Sequence, residues 1–307
     1  MATLPDIAIL GPGKVGTALG TLAARAGWPV RAVGGRSLSR ARKAAGAIRA
    51  AAKTGGKVAA PDLAEVMTLD KAAGAGTLVL LTVPDDAIEA VCNRLARRGA
   101  FRPDAIVAHC SGALGSDVLQ SAADRGCAIG SLHPLQTFPT VESAVGLLPG
   151  AYCFIEGDRR AAPVLTRLAR AVGGVPFAIA PGAKALYHAS ACIASNYLVA
   201  IVDAALACGE AAGIPRAQHR RALGPLLRGT LENVLRMRTE QALTGPIARG
   251  DAATVQRHLE ALRGASPDLA ALYSALARWT IPLARRKGTL PPEAARRLER
   301  LMRDSHA

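Results

Sequence analysis

Short apolar runs alternate with amphipathic, Ala/Arg/Leu-rich stretches through the first half of the chain. The runs Ile7–Leu10, Val30–Val33, Leu78–Val83, Ala105–His109, Ala128–Leu132, Tyr152–Ile155 and Phe177–Ile179 are three to six residues long and predict strands. Between several of them lie Val15–Ala26, Ser39–Ala52, Asp86–Arg97 and Ala162–Val172, whose apolar residues recur at helical spacing. Strands alternating with helices predict a doubly wound, mostly parallel sheet with helices on both faces. After Pro181-Gly182 the pattern changes and no run reads as a strand. Helices are expected over Ala183–Ala212, Arg216–Arg238, Ala252–Arg263, Leu269–Arg286 and Pro292–Arg303. Pro215 and Pro292 suit helix starts, and Gly213 suits a helix end. The chain therefore divides into an α/β domain, 1–181, and an all-α domain, 182–307.

The first strand runs straight into Gly11-Pro12-Gly13-Lys14-Val15-Gly16. This G-x-G-x-x-G lies between a strand and a helix, the context that gives the motif its meaning. Gly11 permits the tight turn, Gly13 lets a pyrophosphate approach the backbone, and Gly16 lets the helix pack on the strand. Lys14 and Val15 open the helix, whose free N–H groups and positive dipole end face the phosphates. The second strand would end in a carboxylate if the ligand were NAD. From Ile7 to Pro61 there is no Asp or Glu, against ten Lys or Arg. Arg36 and Arg40 suit a 2′-phosphate, and the Ser37 hydroxyl can donate to it. NADP is therefore expected over NAD; the alternative makes both arginines ordinary surface residues. Val83, Pro84 and Ser111 follow later strands and should border the nicotinamide, although Ser111 also suits a simple turn.

Composition narrows the picture. The 307 residues are 50% apolar, which excludes a disordered chain, and six dispersed Cys exclude a disulfide scaffold and give no metal spacing. Sparse thiols and no secretory pattern fit the cytoplasm. The apolar stretch Tyr197–Cys208 is too short to span a bilayer, so no membrane association is expected. The net charge of +15 leaves nucleic-acid binding open, but no aromatic-interleaved basic stripe or nucleic-acid motif accompanies it.

The motifs Gly11–Gly16, Leu81-Thr82-Val83-Pro84-Asp85-Asp86, His109-Cys110-Ser111-Gly112, Ser131-Leu132-His133-Pro134-Leu135-Gln136-Thr137-Phe138, Ala194-Ser195-Asn196-Tyr197-Leu198 and Leu243-Thr244-Gly245-Pro246-Ile247-Ala248-Arg249-Gly250-Asp251 occur in this order. The series resembles a bacterial family of Rossmann-like proteins with a C-terminal domain of unknown function. That family is similar in architecture to ketopantoate reductase, β-hydroxyacid dehydrogenases, pyrroline-5-carboxylate reductase and prephenate dehydrogenase. The resemblance implies a helical domain of the phosphogluconate-dehydrogenase-like type, reaction in the cleft between the domains, and a homodimer through the helical half. It implies a nicotinamide-dependent oxidoreductase and supplies no substrate.

Hydride transfer to a carbonyl or imine needs a proton donor and polar groups that hold the substrate. His133 resembles the His of the prephenate dehydrogenase His-Pro pair; the alternative is a ring that caps a turn. Lys184 and His188 share a helix face at i and i+4. In β-hydroxyacid dehydrogenases a catalytic Lys stands six residues past a Gly. Gly182 plus six is His188 here, so Lys184 or His188 is the expected donor. Asn196 is expected to bind substrate, and Arg249 to hold a carboxylate or phosphate; a first-turn surface lysine, a helix-packing Asn and a turn-fixing Arg–Asp contact are the alternatives. Asp251 suits an N-cap, while His109 and His258 read as packing or surface residues. The leading expectation is an NADPH-dependent reductase of a small, anionic, ketopantoate-like oxo acid. The other readings are a cyclic-imine reductase, a non-catalytic NADP-binding regulator and, from the charge, a nucleic-acid binder.

Overall fold

The structure is a computed structural model that describes residues 3–55 and 63–303. Eight strands form one sheet: β1 Ile7–Leu10, β2 Val30–Gly34, β3 Glu65–Met67, β4 Leu78–Leu81, β5 Ile106–His109, β6 Ala128–Pro134, β7 Tyr152–Gly157 and β8 Val175–Ala178. Their order is β3-β2-β1-β4-β5-β6-β7-β8. Neighbours pair in parallel except β6 and β7, so β7 and β8 run against the other six. The chain thus switches direction between β1 and β4, where open α/β sheets bind ligands beyond their strand ends.

Around the sheet lie α1 Lys14–Arg25, α2 Leu38–Gly55, α3 Leu69–Ala75, α4 Asp85–Arg97, α5 Gln120–Ala123, α6 Val141–Leu147, α7 Ala161–Ala171 and α8 Lys184–Ala194. Alternate strand residues feed two buried layers. Ile7, Ile9, Leu80, Leu132 and Ile155 pack with α1, α2 and α7. Ala8, Leu10, Leu81, Val107 and Ile129 pack with α3, α4 and α5 on the other face.

The short helices α3, α5 and α6 were not expected from the sequence, and three further elements differ from the expectation. β3 was not anticipated, because three half-exposed residues make no apolar run. The last strand starts two residues earlier and includes Pro176, which an edge strand such as β8 tolerates. The expected single helix 183–212 is two, α8 and α9 Asn196–Ala211, separated at Ser195 (φ −119°, ψ −67°). Taken together, Lys184–Ala211 is long and apolar enough, by length and composition, to cross a membrane.

The chain forms two compact units, Met1–Ile193 and Ala194–Ala307. The division falls twelve residues past the expected boundary, since Lys184, Tyr187 and His188 of α8 bond or pack with the sheet of the first unit. In the second unit α9 is followed by α10 Arg216–Arg236, α11 Thr239–Ala242, α12 Pro246–Arg249, α13 Ala252–Ala265, α14 Pro267–Lys287 and α15 Pro292–Arg303. Its core joins Val255, Leu259, Ile281, Leu298 and Met302. No strand occurs among its described residues. Asp251 does cap α13, accepting from Thr254 N–H at 3.0 Å, and Gly213 closes its helix at φ +82°.

Candidate active site on one sheet face

The glycine-rich turn is built as its spacing requires. Gly11 has φ +110°, and a Cβ there would lie 2.7 Å from the Thr82 carbonyl group. Gly16 faces the same loop: a Cβ would overlap the Thr82 hydroxyl and come within 2.6 Å of the Gly11 carbonyl oxygen. Thr82 Oγ1 donates to that oxygen at 2.6 Å and so ties the β4 end to the turn. Gly13 is the N-cap of α1, has no side chain to satisfy the helix N–H groups, and is exposed with Lys14. The first turn of α1 carries no carboxylate. An anion-accepting helix end is therefore open.

Beyond β2, Arg36, Ser37 and Arg40 are all exposed. Arg36 lines a pocket of about 440 Å³ with Gly35, Leu38, Thr68, Leu69, Asp70, Arg94 and Arg98. Its one carboxylate, Asp70, is already paired with Arg98 at 2.5 Å and Arg94 at 4.0 Å. Ser37 Oγ accepts from Arg40 N–H at 3.3 Å. The turn and this pocket fit a dinucleotide bearing a 2′-phosphate: the phosphate donors are free, and no unpaired carboxylate opposes them.

The second cluster comes from strand register. Ser131 is opposite His109 on β5 and opposite Glu156 on β7. Two residues along the same face, His133 is opposite Phe154, which is opposite Phe177. The two rows form a platform. Lys184, Tyr187 and His188, at i, i+3 and i+4 of α8, face it.

Lys184 is 2% exposed, although it opens its helix. Its Nζ donates to the Ser111 carbonyl at 2.5 Å and to Ser131 Oγ at 2.9 Å. Burial lowers its pKa, while Glu156, Cys110 and Asp85 oppose that shift. Ser111 is no idle turn residue. Its hydroxyl donates to Asp85 Oδ2 at 2.6 Å and accepts from Ala113 and Leu114 N–H at 3.1 Å each.

His133 Nδ1 lies 2.8 Å from the Tyr187 hydroxyl. Tyr187 stacks on Phe154 with ring centroids 4.0 Å apart. Burial, helped by the Lys184 charge and by His188, lowers the His133 pKa to about 4, so the ring is neutral at pH 7. Burial raises that of Tyr187. The rings of His133 and His188 meet edge to face at 5.9 Å, and a Cβ on Gly112 would lie within 2.8 Å of both. Only glycine leaves the two imidazoles room.

His109 is fully buried and holds the loop after β5. Its Nδ1 accepts from Ser111 N–H at 3.1 Å, so its Nε2 carries the proton and donates to the Gly115 carbonyl at 2.9 Å. Burial lowers its pKa to about 4. An unfolded imidazole protonates near 6.5. Between those values the unfolded state binds the extra proton, so stability falls as pH drops through this window. The loss amounts to roughly 3 kcal/mol by pH 4. His133, lowered to the same value, adds a like amount; chemical unfolding of the wild type at pH 7, 5.5 and 4 should show both, and His109→Gln should remove about half of the combined loss.

The structure thus brings Lys184, His188, His133 and Ser111 together. Asn196 and Arg249 belong to the second unit, where both are exposed; Asn196 opens α9 and Arg249 closes α12. β4 ends at Leu81, so Val83, expected as the last strand residue, lies with Pro84 between β4 and α4, where Pro84 is the N-cap residue. Sequence reasoning missed Ser131, Asp85 and Glu156, and it set Tyr187 aside because the order and helix placement of a Tyr/Lys donor pair differ. Tyr187 was findable, since it shares the face of Lys184 and His188.

A Rossmann-like domain model matches residues 2–134, and a model of the Domain of unknown function (DUF2520) matches residues 151–280. The chain pairs a Rossmann-like domain with a DUF2520 domain. Among solved structures it is similar to BF3122 of Bacteroides fragilis, described as an NADP oxidoreductase: 21% identity, TM-score 0.70, 91% of this chain and 98% of that one. Protein TM1727 of Thermotoga maritima aligns at 26% identity and TM-score 0.64, over 92% of this chain and 99% of that one. A reductive aminase of Aspergillus terreus, solved with an NADPH cofactor, cyclohexanone and allyl amine, aligns at 18% identity and TM-score 0.61, over 97% and 99%. No curated protein matches the chain in sequence. The Rossmann-like match ends at Pro134, so it holds the glycine turn, Arg36, Ser111 and His133; the DUF2520 match holds Glu156 and α8.

Proposed function

We propose that the chain is an NADP(H)-dependent oxidoreductase that reduces a small, anionic oxo acid. The observation that supports this best is one of placement. An uncapped glycine-rich helix start, a basic pocket beyond β2, and a neutral His–Tyr pair over a buried lysine all belong to one sheet unit. When bound, NADPH supplies the hydride. The unbonded N–H groups of Lys14 and Val15 would hold its pyrophosphate, with Gly13 leaving room for it, and Arg36, Ser37 and Arg40 would hold its 2′-phosphate.

His133 would give a proton to the substrate oxygen. Tyr187 orients the imidazole and returns a proton to it from solvent. A neutral ring is the form that carries one N–H to give and one nitrogen to refill. Lys184 ties Ser111 to Ser131, and its ammonium adds to the burial that keeps His133 neutral. His188 packs on His133 and fixes its plane.

A second reading, reduction of a cyclic imine, draws on the resemblance to pyrroline-5-carboxylate reductase and the likeness to a reductive aminase and to imine reductases. The same residues serve, with nitrogen in place of oxygen. Absorbance at 340 nm, with NADPH and a panel of 2-oxo acids, 3-oxo acids and cyclic imines, separates the two. Oxidation on one oxo acid supports the first reading; oxidation on imines alone replaces it with the second; none on any member counts against both.

Arg36→Ala should weaken NADPH binding by about tenfold or more, the value of a charge-assisted phosphate contact, and leave NADH nearly unchanged. Fluorescence titration with both nucleotides checks this; equal losses would return Arg36 to an ordinary surface role.

We also propose a homodimer through the second unit. None of the 21 residues of α10 is buried, yet it carries Leu226, Leu227, Leu231 and Leu235. Trp279 on α14 is 82% exposed. Apolar faces of this extent call for a cover, and a second copy presents the same faces. Sedimentation equilibrium of the detergent-free protein at twice the chain mass is the expected result; a monomer, or a requirement for detergent, would overturn it.

A further inference from the structure

Glu156 is 6% exposed, and the mechanism above does not use it. It is the one buried carboxylate, and Lys184 the one buried ammonium, among the described residues. One Glu156 oxygen, Oε1, accepts from Ser116 N–H. The other, Oε2, is buried with no hydrogen-bond partner. An orphaned carboxylate oxygen is costly unless a positive charge lies near it.

The ladder supplies that charge. Glu156 stands opposite Ser131 in the antiparallel β6–β7 pair, and directly opposed side chains rise side by side on one face. Ser131 Oγ in turn accepts from Lys184 Nζ. One serine therefore separates ammonium from carboxylate. The other carboxylate facing Lys184, Asp85 at the start of α4, is committed to the Ser111 hydroxyl at 2.6 Å. Cys110, His109 and His133 also face the ammonium; burial raises the thiol pKa to about 12, and both imidazoles are neutral at pH 7. Lys184 also sits at the N-terminal end of α8, where the helix dipole opposes a cation. A buried lysine so placed loses its proton unless an anion holds it.

We propose that Glu156 is a positioning residue: across Ser131 it forms a buried charge pair with Lys184, holding the amine protonated and in place beneath the Ser111 carbonyl. The pair stands on the geometry alone; its bearing on proton transfer at His133 rests on the reductase reading.

The test needs neither substrate nor nucleotide. In full-length protein labelled with ¹⁵N-lysine, the signal absent from Lys184→Met identifies Nζ of Lys184. Its titration midpoint should fall by about one pH unit or more in Glu156→Gln, a tenfold loss of proton affinity, and recover in part in Glu156→Asp. A midpoint unchanged in Glu156→Gln would overturn the proposal. If Glu156→Gln alone does not fold, thermal unfolding in the Lys184→Met background decides. There the added Glu156→Gln should raise Tm, because it removes a carboxylate that has lost its cation. A Tm that is unchanged or falls further would overturn it. Inactivity on every oxo acid and imine would leave the pair standing, and loss of the pair would leave the reductase reading to its own assay.

Discussion

Gly16→Val is expected to weaken NADPH binding by about a hundredfold while the rest of the fold survives. A Cβ at this position already meets the Thr82 hydroxyl and the Gly11 carbonyl oxygen, and neither can retreat. The Thr82 hydroxyl is bonded to that same oxygen, and Thr82 N–H is bonded to Leu10 O at 2.8 Å inside the sheet. The two added methyl groups push α1 away from the β4 end. Overpacking of this kind costs about 1–3 kcal/mol. The uncapped N–H groups of α1 then leave the phosphate position. NADPH affinity should fall by about two orders of magnitude, the worth of two charge-assisted hydrogen bonds. Calorimetric titration measures the affinity and circular dichroism the fold. Undiminished NADPH binding in a folded Gly16→Val protein would remove the glycine turn from the site.

Lys184→Met carries the second large effect. Methionine nearly keeps the volume, so the loss is electrostatic. The Ser111 carbonyl and Ser131 hydroxyl lose a donor at 2.5 and 2.9 Å, and Glu156 keeps its charge with no cation nearby. Removing one member of a buried charge network costs about 3–5 kcal/mol. For a unit of this size that lowers Tm by about 10 °C. Turnover on whichever substrate the panel finds should fall by about 10²-fold, because the Ser111 loop and Ser131 lose the ammonium that ties them together beside His133. NADPH affinity should hold within about threefold, since Lys184 is no part of the phosphate cradle. A loss of NADPH binding equal to the loss of turnover would instead make Lys184 a cofactor ligand.

The two halves of the site differ in how legible they were. The phosphate cradle is local: Gly11, Gly13 and Gly16 fall within six residues, and the backbone geometry that they permit is written in their identity. The expected preference for NADP was read in the same way, from a strand end followed by Arg36, Ser37 and Arg40 with no carboxylate from Ile7 to Pro61. The platform beneath α8 is not local. His109, Ser131 and Glu156 meet only through register, across a parallel and then an antiparallel pairing. Nothing in the apolar runs announces that β7 reverses direction, because an isolated strand carries no mark of which way it runs. Lys184 illustrates the same limit. At the start of an amphipathic helix it reads equally as a solvated cation; two acceptors from separate strand ends make it the most deeply buried charge in the unit. Asp85 was likewise quoted only as part of a motif, and its task, orienting Ser111, follows from a bond across 26 residues. The misplaced boundary has the same origin: α8 looks like the first helix of the helical half but supplies the lid of the sheet platform.

The central claim, that one sheet unit binds NADPH through the glycine turn and the pocket beyond β2, is tested most directly by calorimetric titration of the purified wild type with NADPH and with NADH. The account predicts stoichiometric NADPH binding, one nucleotide per chain, at least about tenfold tighter than NADH. Equal affinity would contradict the role of Arg36, Ser37 and Arg40, and binding of neither nucleotide would contradict the oxidoreductase reading itself.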